Sequence, residues 1–157
     1  MRFLATLVLC SPLVAQTFQI VPSTAPRGGT GSLLITLISP AGKEPVAMQW
    51  KIMLGTEVTA AVEDIKAGDA ATTADKAVVC AAVTKPVQES LTYNCILAGG
   101  VKPIANGTIF LVKYKVKQKT IPQTLAVRIS DGIAVLQHSD QLQKTNMAPA
   151  EGTITAR

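Results

Sequence analysis

Four lysines stand at alternate positions in the stretch GTIFLVKYKVKQK: Lys113, Lys115, Lys117 and Lys119. Ammonium groups at that spacing attract phosphates and carboxylates, and Lys51 and Arg128 extend the cationic set. Nucleic-acid recognition usually adds aromatic stacking or a helix that enters a groove, whereas Tyr114 falls on the side opposite the lysines. The lysines therefore read as the wet side of a strand, where they keep a face or an edge soluble, and no nucleic acid is implied. His138, in LQHSD, has Ser139 and Asp140 beside it. A base and its orienter two positions apart on a loop do not make a triad without a nucleophile and oxyanion donors. No Gly-x-Ser-x-Gly elbow, His-Glu-x-x-His helix, phosphate loop or dinucleotide fingerprint occurs, and the acids are scattered beside turns. The sequence thus offers no catalytic residues and reads as a non-enzyme. With one histidine and no Cys-x-x-Cys, a tetrahedral metal site lacks ligands, and no cofactor is implied.

The cysteines point to a compartment. The opening MRFLATLVLCSPLVAQ carries one basic residue, Arg2, then an apolar run, a break at Pro12 and a small residue at Ala15. This is the pattern of a secretory signal peptide spanning residues 1–15, with residues 16–157 as one domain in a secreted, periplasmic or envelope location. The apolar run is about 13 residues, short of the roughly 20 that span a bilayer, and no later segment comes closer. Cys10 ends a run that resembles a lipoprotein signal, but Leu9 stands where a small residue is expected. Without residues 1–15 the formal charge of +5 falls to +4, because Arg2 is lost, and Cys80 and Cys95 remain. They lie at nearly equal distances from the centre of TKPVQES, so a hairpin turning there sets them opposite each other. Both a disulfide and two buried thiols fit that arrangement.

Hydrophobic residues make up 48% of the chain and charged residues 16%, enough apolar surface for a folded core. The apolar residues recur with a period of two. Val46, Met48, Trp50, Ile52 and Leu54 alternate with Ala47, Gln49 and Lys51; Leu91, Tyr93, Cys95 and Leu97 alternate with Thr92, Asn94 and Ile96. Phe110, Val112, Tyr114 and Val116 face away from the lysines, and Leu125, Val127 and Ile129 away from Ala126, Arg128 and Ser130. Between Glu57 and Val83 the expectation is a strand near Val58–Ile65 and another near Ala77–Val83. Asp131-Gly132 reads as a turn between strands, and Asn106-Gly107 as a turn before it is a glycosylation site. About nine short strands with turns every 8 to 12 residues predict an all-β, antiparallel β-sandwich with jelly-roll or Greek-key topology.

Four segments, in order, carry a family likeness: PVAMQWKIMLGTEV, NGTIFLVKYKVK, PQTLAVRISDG and EGTITAR. Spanning roughly Phe18 to Thr155, they resemble the third strand, the Gly-led lysine strand, the approach to the next strand and the closing Gly-x-Ile strand of the cohesin domain. That resemblance implies a nine-stranded jelly roll that displays a surface for dockerin domains. It implies a partner-binding surface built from the third strand and the lysine strand, with Ala47, Gln49 and Lys51 beside Lys113, Lys115 and Lys117. An acidic protein partner suits such a face. Ala47 and Gln49 occupy places where cohesins that bind dockerin often have Asn and Asp, so the charge-assisted bonds of a carboxylate are missing. Calcium belongs to the dockerin in that family and is not implied here. Carbohydrate-binding modules share the superfamily, which makes a polysaccharide the alternative ligand. Such a module needs exposed rings; Trp50 alternates with core residues, which leaves Tyr93 as the best sugar-facing candidate. An accessory domain of an envelope complex is a third reading.

Overall fold

The computed structural model describes residues 15–84 and 90–157. The expected signal segment up to residue 14, Cys10 within it, and the middle of the TKPVQES turn lie outside the described residues. In chain order the strands are β1 (Thr17–Val21), β2 (Ser23–Ala25), β3 (Thr30–Ile38), β4 (Pro45–Gly55), β5 (Val58–Thr59), β6 (Ile65–Ala67), β7 (Ala77–Ala82), β8 (Ser90–Ala98), β9 (Gly107–Val116), β10 (Gln123–His138), β11 (Gln141–Asn146) and β12 (Ala150–Ala156). A single 3₁₀ turn (Val62–Asp64) and one short helix, α1 (Asp69–Thr73), complete the described residues.

The strands form two packed sheets, as the two-residue rhythm requires. One has five strands, ordered β1-β3-β9-β5, with β6 also on β9; the other has seven, ordered β2-β12-β10-β4-β8-β7, with β11 also on β10. Among the described residues only the β2–β12 ladder is parallel, beside an isolated parallel bridge between Thr17 and Ala148. The chain crosses between sheets repeatedly, which gives the jelly-roll type of sandwich expected from the sequence.

Met48, Trp50, Ile52 and Leu54 are buried while Gln49 is exposed, and Phe110, Val112, Tyr114 and Val116 are buried while Lys113 and Lys115 are exposed. At the centre, Trp50 of the seven-stranded sheet stacks on Phe110 of the other at 4.6 Å and 19°, with Phe18 tilted against it at 5.8 Å. Gly152 lets β12 meet β1: a β-carbon there would lie 2.3 Å from Ile20 Cγ2.

Three local expectations change. Asp131-Gly132 is a bulge inside the continuous strand β10. Asp131 takes a left-handed backbone (φ 53°) and the register with β4 shifts between Ser130 and Ile133. The strand bends there because β12 pairs with its first half and β11 with its second. The single strand expected over Val58–Ile65 is split into β5, the 3₁₀ turn and β6, since the Asp64 carboxylate accepts a hydrogen bond from the Ala61 N–H at 2.9 Å and turns the chain. The strand count rises to twelve, partly through the three-residue β2 and the polar β11.

Trp50→Ala is expected to cost about 3–5 kcal/mol, since it empties the space between the two sheets. Chemical denaturation of the two proteins side by side measures this.

Candidate partner-docking face

The six residues expected to form one surface are divided by the fold. Ala47, Gln49 and Lys51 lie on β4 in the seven-stranded sheet, whereas Lys113 and Lys115 lie on β9 in the five-stranded sheet, with Lys117 just past its end. Both strands direct their apolar side chains into the same core, Trp50 onto Phe110, so their polar sides look in opposite directions. A shared docking surface is therefore corrected to two separate faces. Resemblance in sequence cannot show which sheet a strand joins.

On the five-stranded sheet, Lys113 lies opposite Ser32 and Lys115 opposite Thr30, in a shallow groove completed by Thr59 and Asp64. Among the described residues Lys113, Lys115 and Lys117 form no ion pair.

The other face differs in character. Strand registers align Val79, Ile96, Gln49 and Ile133 in one row across β7, β8, β4 and β10, and Ala81, Asn94, Lys51 and Ser130 in another. Ala47 lies opposite Val135, which in turn lies opposite Lys144 of β11. Val79 is 69% exposed and Ile96 53%, unusual for β-branched side chains on a sheet surface. Lys51 donates to the Asp131 carboxylate, which the β10 bulge carries to the sheet surface, so this cation is neutralised, while Lys144 stands at the margin of the same face. Shallow grooves flank the Gln49–Ile96 pair on either side. The surface is apolar at the centre, with amides at Gln49 and Asn94. Ile96, Val79 and Ile133 were not picked out from sequence. The signal lay in Ile96, an apolar residue on the side of its strand otherwise held by Thr92 and Asn94.

At the rim of this face a disulfide joins Cys80 to Cys95 across β7 and β8, with the Cα atoms 4.1 Å apart. Buried Lys76, just before β7, donates to the carbonyls of Gly99 and, at 2.8 Å, Gly100. Burial lowers its pKa, and the Asp75 carboxylate acts the other way. Tyr93 is not available to a sugar: it is 3% exposed and its hydroxyl donates to the Ala60 carbonyl at 2.5 Å. Burial raises its pKa, followed by the nearby Asp64 and Glu63 carboxylates. Phe18, Trp50, Phe110 and Tyr114 are buried as well, which removes the stacking platform on which the carbohydrate reading relied. His138 sits exposed at the β10–β11 turn. The Asn106 side chain serves the fold, accepting from the Ser39 N–H at 2.7 Å and donating to its carbonyl at 3.1 Å. Among the described residues no helix is long and apolar enough to cross a membrane.

Neither a family model nor a curated protein sequence matches the chain. Solved structures do. The seventh ScaB type I cohesin from Pseudobacteroides cellulosolvens superposes with a TM-score of 0.70 at 14% identity, over 91% of this chain and 92% of that one. A chain of a type I cohesin–dockerin complex from Clostridium thermocellum gives 0.67 at 13% identity, over 92% and 100%. The sixth cohesin of scaffoldin B from Acetivibrio cellulolyticus, solved in complex with a Cel5 dockerin mutant, gives 0.70 at 10% identity, over 92% and 100%. The fold is that of a cohesin domain. Within the cohesin fold the disulfide and the Lys76 clamp hold β7 on the rim of the seven-stranded sheet.

Replacing both Cys80 and Cys95 by alanine is expected to lower stability by about 2–3 kcal/mol, given the 15-residue separation. Lys76→Ala should cost about 1 kcal/mol through loss of its hydrogen bonds to the Gly99 and Gly100 carbonyls, which water can then reach. Thermal and denaturant unfolding against the wild-type chain, under non-reducing conditions throughout, check both.

Proposed function

We propose that this cohesin-fold domain is a secreted, non-catalytic assembly module that docks a protein partner on the outer face of β8, β4 and β10. The observation that carries the reading is the exposed Ile96 beside Gln49 in the middle of a sheet. Apolar surface at the centre with amides and a closed ion pair around it is the composition of a protein-docking patch. Similar solved cohesins come from complexes with dockerins, which supports a dockerin-like partner. Ala47 and Gln49 are neutral, so the partner would be matched by apolar contact and amide hydrogen bonds, with little demand for acidity. An acidic partner would instead have to meet Lys113 and Lys115 on the opposite sheet. Secretion rests on the signal-like residues 1–15 and is in keeping with the Cys80–Cys95 disulfide.

Purified dockerin modules, immobilised singly as a panel, test the reading. The chain is expected to bind at least one of them. Ile96→Arg should weaken that binding by about ten-fold or more, while Glu in place of Lys113, Lys115 and Lys117 together leaves it unchanged. The opposite pattern would move the docking site to the lysine face, and no binding across the panel would sink the dockerin-like assignment.

A further inference from the structure

β7 is the outermost strand of the seven-stranded sheet on its side. Its pairing with β8 sets Cys80 opposite Cys95 at a Cα separation of 4.1 Å, the closer spacing of a non-hydrogen-bonded antiparallel pair. In the same register the Val83 N–H donates to the Thr92 carbonyl at 2.8 Å, three positions along, as the alternation requires. It follows that Val78, Cys80 and Ala82 turn their main-chain N–H and C=O groups away from β8. Among the described residues no hydrogen bond from elsewhere in the chain reaches these groups.

Open edges are normally blunted by lysine, proline, a bulge or a covering segment. The far side of this sheet follows the rule: β2 has only three residues, and β11 is polar and carries Lys144. β7 itself reads AVVCAA, with no charge, no proline, no glycine and an unbroken register, and the groove between it and the Val62–Ala67 segment, lined by Glu63 and Lys66, stays open. The disulfide and the Lys76 clamp also fix it in place, so little conformational freedom remains to be lost when another strand pairs with it.

We infer that β7 is a self-association edge, at which two copies of this chain pair antiparallel about a two-fold axis through Cys80. The strand is complementary to itself. Centred on Cys80, the pairing sets Val78 opposite Ala82 and Val79 opposite Ala81, small apolar pairs with no like charges facing each other. The first charged residue on the path, Lys76, falls opposite Thr84 of the second copy and is already engaged with the Gly99 and Gly100 carbonyls. On the outer surface, Val79 meets Ala81 of the second copy at the seam, which covers Val79 and leaves Ile96, one strand further in on β8, open. The axis runs normal to the sheet, so the dimer joins two seven-stranded sheets edge to edge. Both outer faces then look the same way. The inference stands on the edge alone; its consequence, two docking faces side by side and hence bivalent binding, rests on the reading proposed above.

Sedimentation velocity of the purified full chain, from about 1 µM to about 1 mM, should show a monomer–dimer equilibrium. Main-chain amides of Val78, Cys80 and Ala82 should exchange more slowly at the high end of that range. Ala82→Pro deletes an outward N–H without touching the β8 ladder, and Val79→Lys places two ammonium groups at the seam. Each is expected to weaken the dimer by about ten-fold or more while circular dichroism shows the strand content kept. A chain that stays monomeric throughout, or association that survives both substitutions in folded protein, overturns the inference. Dockerin binding by the Ala82→Pro variant reports separately on the docking face, since Ala82 lies outside it.

Discussion

Trp50 is held between Phe110 and Phe18, and this contact between the sheets sets the terms for everything outside the core. A ring of that size, 2% exposed and stacked across the interface, fixes which face of β4 points inward. A slip by one residue would turn the indole into water and bury Gln49 and Lys51 instead. The indole N–H has no hydrogen-bond partner among the described residues, so the packing holds despite one unsatisfied donor. Once β4 is locked, the ladders to β8 and β10 follow, and with them the row of Val79, Ile96, Gln49 and Ile133.

The same constraint separates the charges. Apolar side chains from β4 and β9 meet in the middle, so their solvated sides end up on opposite surfaces of the sandwich. One surface holds lysines that form no ion pair among the described residues, beside hydroxyl groups. On the other the β10 bulge supplies Asp131 to Lys51, and Lys144 stands towards the margin. A protein partner that buries apolar area gains from the second surface, where little charge must be desolvated. Charges left open to water, like these lysines, act at longer range than apolar contact does.

The rim adds a third property. Most of the sheet boundary is short, polar or occupied, while β7 is uncharged and fastened by a covalent bond and a buried ammonium. Rigidity and an open ladder coincide there, in the strand that borders the proposed docking face. The residues that fasten it, Lys76, Cys80 and Cys95, are the same ones that would hold it ready for the proposed pairing.

From sequence alone, the alternation in Val46–Leu54, Ser90–Leu97 and Gly107–Val116 determined the strands, their inward sets, the sandwich class and the wet lysines, because burial of every second side chain is a local, periodic demand. The nearly equal spacing of Cys80 and Cys95 about a turn placed them opposite each other. The cohesin likeness, too, was legible in the order of those segments. Which sheet each strand joins was decided only by tertiary structure, and so was the separation of Ala47, Gln49 and Lys51 from Lys113, Lys115 and Lys117. So were the bulge at Asp131, whose partners β11 and β12 are remote along β10, and the burial of Tyr93. The physical reason is common to all of these. A strand's own residues state which side must be dry, but the neighbour that provides the dryness, and the direction in which the wet side then looks, come from distant parts of the chain.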